Sequence, residues 1–185
     1  MTRKTTATAR IRTRTAVLTA AMIAAPAAVA VPAAAQEPMR DCAVSDFEIV
    51  ENERRAAAGT AYIEFTMTRT GEGETPAQEP CNLYRHASLN WVDDQGERVG
   101  AWAVREGGGD SFTVEPEGTA LLTVAQPNPD NYDPQLCEPT PVAGIEVSLY
   151  IAEAPVTVPT GGHDTACANP EVAVPRYTIE PGEVY

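Results

Sequence analysis

Across residues 60–69 apolar and polar side chains take strict turns: Ala61, Ile63, Phe65 and Met67 alternate with Tyr62, Glu64, Thr66 and Thr68. A repeat of two places each set on its own face of a β-strand, so this segment belongs to a sheet with one buried face. Residues 144–151 repeat the pattern, with Ile145, Val147, Leu149 and Ile151 set against Glu146, Ser148 and Tyr150. Further strands are expected at 46–51, 87–92, 98–104, 111–114, 119–125 and 172–179. Residues 93–97 form a hairpin turn in which Gly96 supplies a positive φ. Gly107, Gly108 and Gly109, and the Pro116–Gly118 region, punctuate the chain further. Residues 56–59 reach at most one helical turn, and 71–80 and 126–134 read as polar connections. The expected fold is all-β: an immunoglobulin-like β-sandwich of seven to nine short strands.

The N-terminus reads differently. Arg3, Lys4, Arg10, Arg12 and Arg14 form a basic leader, an alanine-rich apolar run follows from Ala16 to Val31, and Ala33, Ala34 and Ala35 precede Gln36. A charged region, an apolar region and an Ala-x-Ala site together make a secretory signal peptide over 1–35. A single domain over 36–185 follows it, long enough for a substantial core. Pro26 and Pro32 interrupt the apolar run and alanine inserts weakly, so no membrane insertion is expected after cleavage. Cys42 follows Met39, Arg40 and Asp41 and lacks a lipobox. The expected location is extracellular or the cell envelope.

Export sets the chemistry of the cysteines. Cys42, Cys81, Cys137 and Cys167 are an even set in an oxidising compartment, which argues for two disulfides. Three pairings are open. Cys42–Cys81 and Cys137–Cys167 are favoured, because each ties the entry to a strand to a later loop in the same half of the domain. The cysteines lack the Cys-x-x-Cys spacing of a zinc site.

The leader holds five of the 13 basic residues and none of the 26 acidic ones, so the remainder carries eight arginines, no lysine and a formal charge of −18. Such a surface repels phosphates and anionic headgroups, which excludes nucleic acid as a partner.

No assembled catalytic set is visible. None of Ser45, Ser88, Ser111 and Ser148 lies in a Gly-x-Ser-x-Gly elbow. His86 and Ser88 would share a strand face, an arrangement common on solvated strands. Asn128, Asp130 and Asp133 offer alternating oxygens, but two prolines interrupt the loop and no bidentate glutamate follows, unlike a calcium loop. His163 and Asp164 are too few for a metal site, and residues 161–164 read as a flexible loop placed by Cys167. No cofactor is expected. Trp91 shares a face with Leu89 and is assigned to the core. Trp102 is also expected there, with an exposed contact patch as the alternative. The candidate contact surface is therefore Trp102, Asp130 and Asp133.

Four segments carry a family resemblance. Cys42 opens a stretch, residues 41–47, that leads into a first strand; Cys81 lies in Pro80-Cys81-Asn82-Leu83-Tyr84 just before another. Residues 114–120 hold an apolar residue, proline and glycine ahead of a strand, and Cys137 heads a strand through Val147, with Cys167 as the fourth cysteine. In this order and spacing residues 41–181 resemble the secreted actinobacterial family called domain of unknown function 4232. Tyr84-Arg85-His86 stands where the family has a Gly-Tyr-Pro-like tripeptide, and Arg69-Thr70-Gly71 replaces its Asn-x-Gly turn. The resemblance implies a β-sandwich, an extracellular or envelope location and two disulfides; it implies no activity. The expectation is a noncatalytic module that binds an extracellular protein or envelope component. A secreted hydrolase with an unrecognised site, or a protease inhibitor presenting residues 126–136, is the alternative.

Overall fold

The computed structural model describes residues 38–70, 79–149 and 153–182, without the side chains of Gly162 and His163. The leader at 1–35, most of the polar stretch at 71–80, and Tyr150 and Ile151 lie outside the described residues.

The described chain is all-β. Its strands are β1 (Phe47–Ala57), β2 (Thr60–Arg69), β3 (Cys81–Tyr84), β4 (Ala87–Val92), β5 (Arg98–Val99), β6 (Val104–Arg105), β7 (Ser111–Val114), β8 (Thr119–Pro127), β9 (Pro139–Leu149), β10 (Val156–Cys167) and β11 (Arg176–Pro181). Five form a sheet in the order β1-β2-β8-β11-β6, and four form a second in the order β10-β9-β4-β5. The short pair β3-β7 makes a third. All pairings are antiparallel except β11 with β6.

The alternation that marked β2 sends Ile63, Phe65 and Met67 inward, where Ala120, Leu122 and Val124 of β8 and Tyr177 and Ile179 of β11 join them. Leu89 and Trp91 of β4 and Ile145, Val147 and Leu149 of β9 cover this layer in one continuous core. Burying side chains of this size stabilises by roughly 1.5–3 kcal/mol each, which holds the two larger sheets face to face.

Polar groups complete the join. The Trp91 indole donates to Gln126 Oε1 at 2.5 Å, linking β4 to β8 through the interior. Tyr177 Oη accepts from the Ala87 amide at 2.9 Å and donates to its carbonyl at 2.8 Å. At the β1 edge Glu51 accepts from the Gly161 amide at 2.8 Å, and Arg54 pairs with Asp164, so β10 is strapped to β1 across the sheets. Cys42–Cys81 and Cys137–Cys167 are the disulfides.

Four expectations need correction. Eleven strands are present among the described residues, beyond the seven to nine expected. Residues 98–104 are not one strand: at Gly100 the chain takes a φ of +74° and crosses from the second sheet to the first, leaving β5 and β6. Residues 161–164 are part of β10 and not a loop; the ladder tolerates Pro159 and the glycines because β10 is an edge strand whose register shifts between Pro159 and Asp164. Residues 56–57 likewise extend β1 and do not start a helix.

Candidate functional site

Long-range register, not any local motif, builds the most developed concavity. Arg55 of β1 lies opposite Tyr62 of β2, Tyr62 opposite Ala125 of β8, Ala125 opposite Arg176 of β11, and Arg176 opposite Val104 of β6. One row thus crosses all five strands on the face turned away from the core. Its central member is alanine, flanked by two long side chains, and a small residue between large ones leaves a trough. The next row places Thr60 opposite Pro127.

Beyond β8 the chain folds back over the end of this trough. Asn128 caps a single 3-10 turn, accepting from the Asp130 amide at 3.1 Å, and Asn131 donates to the Gly59 carbonyl at 2.8 Å. Gly59 has a φ of +78° and sits against the Asn131 side chain, so the β1–β2 turn and this segment brace one another. Tyr132 follows and forms one wall. The opposite wall is Val104, Glu106, Val174 and Arg176, and the open groove measures about 930 Å³. That volume lies within the range of small-ligand sites.

The polar groups of the groove differ in their engagement. Arg176 donates to Glu106 at 2.6 Å, and both remain largely exposed. The guanidinium of Arg105 turns to the other side of β6, where it meets His86 Nε2 at 2.6 Å and the Gly109 carbonyl at 2.9 Å. The hydroxyls of Tyr62 and Tyr132 make no hydrogen bond to any described residue. Of the three charged residues along the groove, Arg176 and Glu106 pair with one another and Arg105 directs its guanidinium to His86 and the Gly109 carbonyl, in a domain that is otherwise strongly acidic.

The residues singled out from the sequence are dispersed. Trp91 is buried, as expected, but Trp102 is 48 % exposed and lies under the Arg98 guanidinium, 4.7 Å from its carbon to the ring centre. The crossing at Gly100 carries Trp102 out of the core, and Arg98 is held over it by Glu146 at 2.6 Å. Asp130 is exposed on a separate cleft of about 560 Å³ that also holds Asp164, Pro139 and Pro141. Asp133 is spent on structure: it accepts from the Gln135 amide at 2.8 Å and caps the helical turn Pro134–Cys137. No hydrogen bond, ion pair or ring contact joins Trp102 to either aspartate among the described residues.

The catalytic and metal candidates are not assembled either. His86 meets Arg105, and Ser88 makes no hydrogen bond to it. Asn128, Asn131 and Asp133 all direct side-chain oxygen or nitrogen at the backbone. Asp164 is paired with Arg54, and the side chain of His163 lies outside the described residues. Among the described residues no three metal-ligating side chains gather.

A family model described as Domain of unknown function (DUF4232) matches residues 42–182, from the first disulfide cysteine to the end of β11. The chain belongs to that family. Members of the DUF4232 family carry no activity in its name, and no curated protein and no solved structure matches this chain significantly. The matched span contains both disulfides and every residue of the groove. No helix among the described residues is long and apolar enough to cross a membrane.

Sequence inspection missed the groove for a definite reason. Arg55, Tyr62, Ala125, Arg176 and Val104 are scattered over 122 positions, and only strand pairing aligns them. The one usable local signal was Tyr62, a large aromatic on the polar side of an alternating strand.

Proposed function

We propose that this chain is exported, cleaved after Ala35, and works outside the cell as a noncatalytic binding module for an extracellular protein or envelope component. The observation that carries the binding role is the groove: a preformed trough lined by Tyr62 and Tyr132, whose hydroxyls bond to none of the described residues, set on a sheet braced from behind by the core. Tyrosine offers a large amphipathic contact at little conformational cost, so such walls favour recognition. Two disulfides fit an oxidising compartment, and the basic leader fits export.

Expression of the full chain with N-terminal sequencing of the recovered protein tests export, and Gln36 is the expected first residue. Crosslinking the secreted protein to its own cells and culture fluid tests binding. A component captured by the native protein and lost with Tyr132→Ala and Arg176→Gln supports the reading. Equal capture by the folded double variant contradicts it.

A further inference from the structure

We infer that the groove on the five-stranded sheet recognises an uncharged carbohydrate chain; this rests on the binding-module reading above and names its ligand. Three features of the lining point the same way. Tyr62 and Tyr132 both line the groove, and the face of an aromatic ring is the apolar surface that the C–H face of a sugar ring complements. Their hydroxyls, which bond to none of the described residues, and the Arg176–Glu106 pair place donors and acceptors at the groove, which is what a ring of hydroxyl groups requires.

Charge selects among carbohydrates. Arg176 and Glu106 cancel at the groove margin, and the Arg105 guanidinium is directed to His86 and the Gly109 carbonyl, so a neutral ligand suits the side-chain charge left facing the groove. The domain around it carries −18 once the leader is removed, and a polyanionic glycan would approach against that field. A basic ligand would be drawn to the acidic surface elsewhere, such as the cleft of Asp130 and Asp164, in preference to a balanced groove. Shape argues against a protein occupant. The trough is concave with Ala125 at its floor and has the volume of a small-ligand site.

The experiment is calorimetric titration of the full chain's secreted product with tetrasaccharides of glucose, N-acetylglucosamine, mannose, galactose and arabinose, alongside a uronic-acid tetrasaccharide. Saturable binding of at least one neutral oligomer is expected, with the uronic-acid oligomer at least tenfold weaker. Tyr132→Ala and Glu106→Gln lie on exposed positions and should each weaken binding tenfold or more, while Trp102→Ala should leave it unchanged. Circular dichroism confirms that each variant is folded. Absence of binding to every neutral oligomer at millimolar concentration overturns the inference, as does binding that ignores the groove variants or prefers the uronic acid. Capture of a protein through the groove, with no glycan bound, overturns the carbohydrate assignment and leaves the module reading standing.

Discussion

Replacing Gln126 by leucine tests the most consequential polar contact of the interior. Gln126 is 5 % exposed and Trp91 2 %, and the 2.5 Å bond between them is the polar link from β4 to β8 through the core. Gln126 Nε2 also donates to the Pro127 carbonyl at 2.9 Å, so the same side chain fixes the groove floor from beneath. Leucine is close in volume and supplies no acceptor. The indole N–H is then buried without a partner, which costs roughly 1–3 kcal/mol. For a domain of this size each kcal/mol moves the midpoint about 2–4 °C, so Gln126→Leu should melt about 2–12 °C lower. Trp91→Phe alone should also destabilise, by leaving the Gln126 oxygen unpaired and a small void. With both changes neither an indole N–H nor an amide oxygen is left buried and unpaired, and the double variant should lose less than the two single losses added, with a coupling of about 1–2 kcal/mol. Calorimetry with intact disulfides, read as a double-mutant cycle, measures this. A Gln126→Leu variant as stable as the parent, or strictly additive losses, would refute the reasoning.

Other predictions concern the bracing. Removing either disulfide by paired Cys→Ala changes opens a loop of 39 or 30 residues, worth about 3.5–4 kcal/mol each in the chain-entropy model, measurable as a lower urea midpoint. Gly100→Ala should destabilise by more than 2 kcal/mol, because a Cβ there would sit 2.2 Å from the Cys167 carbonyl oxygen at a φ of +74°; thermal melting decides it. Acidification should uncover Asp46 and Glu51. Burial opposes ionisation of Asp46, but bonds from Arg40 and the Ala43 amide outweigh it and hold its pKa below the ordinary 3.8. The Arg54 hydrogen bonds are the main cause of the lowering at Glu51, below its ordinary 4.5. A lowered folded pKa gives stability that is complete above the ordinary value and is lost as pH falls through the folded one. Stability should therefore fall below about pH 4, and Asp46→Asn should flatten that fall while lowering the plateau at pH 7.

Sequence reading succeeded where local patterning and final position obey the same constraint. The bounds of β2 and β7 follow from alternation and flanking turns, because each buries one set of side chains against a continuous core; β4 buries Leu89, Asn90, Trp91 and Val92 in succession, and its bounds follow from the flanking turns. The cysteine pairing was accessible because both bridges close within one half of the domain. β10 was missed because Pro159, Gly161 and Gly162 carry loop chemistry that an edge strand with a register shift accommodates. Residues 98–104 misled because hydrophobic spacing does not reveal that Gly100 turns the chain between sheets, and that turn is what exposes Trp102. The groove lay beyond such reading altogether: Ala125 is unremarkable in sequence and becomes a floor only when Tyr62 and Arg176 are aligned beside it.

The claim that this row is the recognition surface is tested most directly by amide chemical-shift mapping. The isotope-labelled secreted protein would be titrated with the neutral oligosaccharide that binds most tightly in calorimetry. Shifts concentrated at Thr60, Tyr62, Ala125, Tyr132 and Arg176, with Trp102 and Asp130 still, are the result this account predicts. Shifts centred on Trp102 or on the cleft of Asp130 and Asp164, with the groove silent, would contradict it.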